Sequence, residues 1–482
     1  MTTTTREQPS QAGSDRLAPN TNGNRAERAA AGKQARENAP LSSHAELDSL
    51  ASDRDPVGLL LEQDESRVPE LAPVRHGRML VSPFTFYRGA ALPMAADLSR
   101  TPTSGLRVQL CGDAHLANFG AFASPERRLV FDVNDFDETL PGPFEWDVKR
   151  LAASFEVAAR DRGFKRKERR RIVLSAARTY RETMRSFAAM TTLDVWYARI
   201  DVEEALDQFK DQMKKKRVKA TEQLMAKARK HDSTQAVGKL TEVVDGQRRI
   251  ISDPPLIVPV EELFTHVKAD EVYEEIGTLV NKYGQSLLPN RQHLLREFRL
   301  VHAARKVVGV GSVGTRAWVL LLEADDGDQY LFLQAKEAQQ SVLAEYAGRS
   351  RYANQGRRVV VGQHLLQAAS DIFLGWERVA GVDDVSRDYY LRQLRDWKFS
   401  APIDKMVPDG METYSRLCAW TLARAHARTG DRIAIAAYLG SSEKFDNAIA
   451  EFADAYADVN EQDYNALKDA VAEGRTTAEY DL

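Results

Sequence analysis

Cysteine is nearly absent: Cys111 and Cys418 are the only two among 482 residues, and they lie far apart. Two isolated thiols leave no disulfide framework and no cysteine-based zinc site, so a reducing compartment is expected. No uninterrupted apolar stretch is long enough to span a bilayer. The N-terminal segment is polar to about residue 45 and lacks an apolar h-region, so no signal peptide is expected and a cytoplasmic location is. A large charge of one sign is missing too. With 67 basic and 70 acidic residues the net charge is −3, which removes any general electrostatic case for nucleic acid or an anionic membrane. The basic runs Lys165-Arg166-Lys167, Arg169-Arg170-Arg171 and Lys214-Lys215-Lys216-Arg217 have acidic neighbours and no interleaved aromatics. They read as solvated helix faces.

What remains is an ordinary globular composition, 43% hydrophobic and 28% charged, long enough for two lobes or one large domain with insertions. Residues 1–45, rich in Thr, Asn, Gly, Ser and charge, are expected to form a disordered arm. Residues 46–304 read as mostly helical, including 148–190, a long polar stretch over 202–231, and 261–302. Two short strands, 106–110 and 129–133, interrupt this part and flank an acidic loop. Residues 305–400 are strand-rich, with a hairpin over 318–336 and strands at 373–379 and 389–394, and 401–482 return to helix. The expected class is α+β.

The chemistry concentrates in Gly112-Asp113-Ala114-His115-Leu116-Ala117-Asn118, followed after the second strand by Asn134-Asp135-Phe136-Asp137. Phosphoryl transfer needs a carboxylate to orient or deprotonate the acceptor hydroxyl, and an amide oxygen and another carboxylate to hold magnesium. Asp113 fits the first role, with Asn118 and Asp135 as metal ligands. Turn formation and backbone capping are the plainer roles for the same residues. Asp137 is either a second metal ligand or a loop cap. His115 either orients Asp113 and contacts phosphate or packs within the loop. Asp132 falls inside a strand and reads as structural.

A second cluster lies far downstream. Gly309, Gly311, Ser312, Gly314 and Thr315 belong to a glycine-rich segment whose backbone amides can approach phosphate. Lys336, about twenty residues on, is placed to contact the α- and β-phosphates or, more plainly, to protect a strand edge. Glu337 and Glu345 are its possible partners.

The loop Gly-Asp-x-His-x-x-Asn resembles that of aminoglycoside and choline phosphotransferases. The resemblance extends through Pro143-Phe144-Glu145-Trp146-Asp147-Val148-Lys149-Arg150-Leu151, where a similar segment opens the helix after the metal site in those enzymes. Asp147 is then expected to cap that helix or fix the catalytic loop. The chain as a whole is similar to a bacterial family catalogued as domain of unknown function 2252. Phe86-Tyr87-Arg88-Gly89, the Gly-Asp-x-His loop, residues 309–315 and Gln334-Ala335-Lys336-Glu337-Ala338 carry that likeness over roughly residues 45–470.

The kinase-like resemblance implies a bilobal fold, with ATP and Mg²⁺ as cofactors and a small-molecule or protein hydroxyl as substrate. Here the sheet-forming segment follows the catalytic loops instead of preceding them, so a circularly permuted order is expected; surface chain ends permit it. Transfer of AMP, or an inactive nucleotide-binding scaffold, are the alternatives. A binuclear metallophosphoesterase would need a Gly-Asn-His block and clustered histidines, and the sequence has neither.

Overall fold

Phe144, Val148, Leu151, Ala152, Phe155 and Ala159 recur at helical spacing, and Phe144–Asp161 forms a helix buried on almost every side. It packs against Arg166–Ala189, Pro408–Thr429 and Lys444–Ala472, so one helical body is assembled from both ends of the sequence. Phe155, Met184, Phe187, Leu422 and Phe452 fill its interior. Truncating one such phenylalanine to alanine costs about 3–5 kcal/mol, a large part of an ordinary folding margin. The computed structural model describes residues 23–47, 54–204, 222–223, 225–226, 229, 233–264, 269–307, 309–327, 329–381, 385–394, 397 and 399–480. The run Lys214-Lys215-Lys216-Arg217 and most of the polar stretch 202–231 lie outside them.

Among the described residues helix accounts for 54% and strand for 18%, with antiparallel sheets, so the α+β class holds. The largest sheet has six strands in the order Gly375–Ala380, Ser386–Gln393, Tyr330–Glu337, Ala317–Ala324, Phe298–Lys306, Ile257–Pro259. Ile257–Pro259 and Phe298–Lys306 belong to it, so the sheet begins well before residue 305 and the helical stretch 261–302 ends earlier than expected. The helix Pro289–Arg296 ends this stretch, and from Phe298 the chain pairs with Ala317–Ala324 through a bulge between Leu321 and Leu322. Ladder pairing of Leu300, His302 and Ala304 outweighs the helical spacing of the preceding leucines.

Residues 23–45 are not the arm expected from their composition; residues 1–22 lie outside the described part. Asn24 and Glu27 form a capping box that starts the helix Arg25–Asn38. Arg28 pairs with Asp431 at 2.7 Å, and Arg36 donates to the Ala437 and Tyr438 carbonyls at the end of Arg432–Leu439. The arginines that made this segment look solvated are the groups that dock it.

Two short antiparallel pairs set the acidic turns. Arg107–Leu110 pairs with Leu140–Pro143, and Phe119–Ala123 with Leu129–Val133. The first pair leads into residues 111–118 and the second into 134–139, so both turns emerge side by side under the six-stranded sheet. No helix among the described residues is long and apolar enough to cross a membrane.

Candidate functional site

The first acidic turn is held from below. Gly112 has φ of 86°, and a Cβ there would stand 2.2 Å from the Glu138 carbonyl oxygen, so only glycine lets the two turns touch. Asp147, in the first turn of its helix, accepts the Cys111 and Gly112 N–H groups at 2.6 and 3.0 Å and faces His426 Nε2 at 3.2 Å. It fixes the loop. Asn118 Nδ2 donates to the Asp113 carbonyl at 2.8 Å, and the Asn118 carbonyl accepts the Asn134 N–H at 2.8 Å, joining the two turns.

Asp113 faces Arg150, and the charge of Arg88 acts on it as well. Arg150 Nη2 and Nε reach the same carboxylate oxygen at 2.6 and 2.7 Å, and Tyr87 lies beneath that guanidinium at 4.3 Å. Burial raises the Asp113 pKa, and the Arg150 charge opposes the rise. His115 Nε2 stands 3.7 Å from the other carboxylate oxygen, while its Nδ1 accepts the Ala117 N–H. Burial, reinforced by Arg88 and Arg150, holds His115 well below its ordinary value, so it is a neutral loop residue at pH 7.

The second acidic turn meets the sheet. Lys336 Nζ donates to Asp137 Oδ2 at 2.6 Å and stands 3.9 Å from Asp135 Oδ2. Tyr390 OH donates to Asp137 Oδ1 at 2.5 Å and Ser312 Oγ to Oδ2 at 3.2 Å. Burial would raise both carboxylates. Lys336 and Tyr390 overcome that at Asp137, holding it down to about 2, while Asp135 also feels Asp137 and stays raised. Asp137, expected as a metal ligand or a loop cap, therefore has both oxygens committed to donors from the sheet. Glu337 and Glu345, the expected lysine partners, are elsewhere: Glu337 pairs with Arg316 and Arg387 on the opposite strand face, and Glu345 is exposed.

The glycine-rich segment connects Phe298–Lys306 to Ala317–Ala324 and roofs the turns. Arg78 donates to the Gly309 carbonyl at 2.9 Å, Val68 N–H to the Gly314 carbonyl at 2.8 Å, and Arg67 to the Val313 carbonyl. Gly309, Gly311, Ser312 and Thr315 line the cleft, whereas Gly314 faces Arg67 and does not. The Thr315 hydroxyl turns inward to the Ser312 carbonyl.

Two connected spaces result. One, of about 730 Å³, holds Asp113, His115, Asn118, Asp135, Asp137 and Glu138. The other, of about 550 Å³, holds Asn118, Asp135 and Lys336 with Gln334 and the strand end Arg392-Gln393-Leu394. An apolar cavity of about 440 Å³ lies on the far face of the sheet, beside Ala335 and Trp318. It contains none of the acidic turn residues.

Several contributors carried no motif. Glu138 lines the cleft, and burial, opposed by Arg358, pushes it up to about 7. Arg358, on the helix Gln355–Leu366, donates to the Asp137, Thr139 and Gln339 carbonyls at 2.8–2.9 Å and ties that helix to the acidic turn. The spacing Asp147-x-x-Arg150, one helical turn, was the one available signal, since it places both residues on the same face. Among the described residues no three His, Cys, Asp or Glu side chains have metal-holding geometry. Asn118 and Asp135 do offer two oxygens on adjoining turns, which suits an ion completed by phosphate and water oxygens.

Residues 67–470 match the family described as "uncharacterized protein conserved in bacteria (DUF2252)". The chain belongs to that family. No curated protein and no solved structure matches it.

Proposed function

We propose that this member of the family is an ATP- and Mg²⁺-dependent phosphotransferase of the protein-kinase-like superfamily, in circularly permuted order, acting on a hydroxyl substrate. One observation carries the proposal: a strand lysine meets the Asp135–Asp137 turn in a cleft that also contains Asp113 and Asn118, beneath a glycine-rich connection. The glycine loop between two adjacent strands and the lysine on the third follow the order of kinase nucleotide lobes. The helix Gln355–Leu366 has no acidic residue to pair with the lysine, as a kinase helix would. Asp137 takes that part.

Asp113 accepts the acceptor's hydroxyl hydrogen bond and aims its oxygen at the γ-phosphorus. Arg150 fixes the carboxylate, and its charge opposes the effect of burial on it. Lys336 lies on the phosphate side, and glycine-loop amides cover the phosphates. When bound, Mg²⁺ would be held by Asn118 and Asp135 and would neutralise phosphate charge.

The test is label transfer from ATP in the presence of Mg²⁺ and a bacterial small-molecule extract. Label from the γ position in an extract compound, lost in Asp113→Ala, is the expected outcome. Label from the α position would replace phosphoryl by nucleotidyl transfer, and no transfer from either would contradict an active enzyme.

A further inference from the structure

We infer that Arg88 is the cation that holds the phosphoryl group in transit. This deepens the phosphotransferase reading and rests on it. The two spaces of the cleft meet at residues that line both: Arg88, Asn118, Asp135, Gly309 and Ser312. On one side are Lys336 and the strand end at Arg392, with room for a nucleotide; on the other are Asp113 and His115, beside which an acceptor hydroxyl would lie. A group passing from nucleotide to acceptor crosses this junction. Asn118 and Asp135 bring oxygens there, and Gly309 and Ser312 bring backbone amides and a hydroxyl. Arg88 brings the only positive charge of the five.

The other cations nearby are committed. Arg150 is held on Asp113, and Lys336 is held by Asp137 on the nucleotide side of the junction. Arg358 donates to backbone carbonyls, and Arg392 donates to the Asn134 carbonyl and Gln334. Arg88 Nε, by contrast, is buried with no hydrogen-bond partner among the described residues. A buried donor without an acceptor is costly unless a ligand oxygen completes it. The backbone of Arg88 is well placed for this. Tyr87 OH donates to the Arg150 carbonyl at 2.7 Å, and the Arg88 carbonyl lies 3.1 Å from where a Gly311 Cβ would be, so the arginine abuts the glycine loop.

In the step itself the bond from the γ-phosphorus to the ADP oxygen breaks and a bond to the acceptor oxygen forms. The hydroxyl proton passes to the Asp113 carboxylate. Negative charge spreads over the three equatorial oxygens meanwhile, and a guanidinium donor can follow it. Phe86-Tyr87-Arg88-Gly89 thereby gains a chemical purpose.

The experiment compares Mg·ADP affinity with and without aluminium fluoride, which mimics the group in flight, in the parent, Arg88→Ala and Arg88→Lys. The parent should bind Mg·ADP more tightly with fluoride. Arg88→Ala should keep Mg·ADP affinity within about threefold and lose the fluoride gain by about 10³-fold, the low end of what such arginines supply. Arg88→Lys should recover part of it. If Arg88→Ala does not fold, Arg88→Met keeps the aliphatic stem and is read the same way. Equal weakening with and without fluoride, a retained gain, or no gain in a parent that binds Mg·ADP would each overturn the assignment. A parent that binds no Mg·ADP at all would instead overturn the phosphotransferase reading beneath it.

Discussion

Lys336 Nζ lies 2.6 Å from Asp137 Oδ2, across 199 residues of sequence, and that contact joins the six-stranded sheet to the acidic turn. It couples the two halves of the cleft, because a strand lysine and a turn carboxylate each keep the other ionised in a buried place. Removing one partner leaves the other exposed to the full cost of burial.

Lys336→Met should weaken Mg·ATP binding about 10- to 100-fold, the loss of a charge-assisted contact of about 1.5–3 kcal/mol. Asp137→Asn should weaken it less than Asp135→Asn and retain the dependence on magnesium. Titration of each variant with ATP, with and without Mg²⁺, checks the order. Equal loss of magnesium dependence in both aspartate variants would return Asp137 to the metal.

Asp113→Ala should lower turnover by about 10²–10⁴-fold while leaving Mg·ATP affinity near the parent's. Arg150 would lose its partner, so a lower Tm is also expected. Asp113→Asn keeps the shape, separates these effects, and should still be inactive. Parent-like turnover in the asparagine variant would exclude Asp113 as the acceptor-orienting carboxylate.

Gly112→Ala places a Cβ 2.2 Å from the Glu138 carbonyl at a positive φ. Destabilisation of at least about 2 kcal/mol follows from the backbone conformation and the overlap together. Denaturant unfolding measures it; an unchanged midpoint would mean that the two turns are not in contact.

His44 gives a pH signature away from the cleft. Burial, with Lys149 adding to it, lowers this histidine to about 3, and its Nε2 lies 2.6 Å from Tyr438 OH. The unfolded chain therefore binds a proton that the folded chain refuses between pH 6.5 and 3. Stability is present above 6.5 and lost as pH falls, by up to about 1.4 kcal/mol per unit from this group. His44→Gln should flatten the acid limb of a Tm-against-pH curve, and an unchanged slope would contradict a buried neutral His44.

Much of the cleft was legible because its turns are punctuated. Gly112, Asp113 and Asn118 follow the alternating residues of Arg107–Leu110, and Lys336 lies in Tyr330–Glu337 just behind an apolar run. What was not legible depends on distant partners. Asp137 looked like a metal ligand or cap because nothing local reveals that Lys336 and Tyr390 converge on it. Arg358 acts through backbone carbonyls, which leave no trace in residue type. Residues 298–302 read as helix because their strand partner, Ala317–Ala324, comes after the glycine loop. Arg25–Asn38 read as solvated because its arginines meet acceptors some four hundred residues away.

The most direct test of the central claim is calorimetric titration of the intact chain with ATP, in Mg²⁺ and then in EDTA, beside Asp135→Asn. Saturable one-site binding that needs Mg²⁺ and is lost in Asp135→Asn is the predicted result. Absence of binding in Mg²⁺, or equal binding with EDTA and with the variant, would contradict a magnesium-nucleotide site between Asp135 and Lys336.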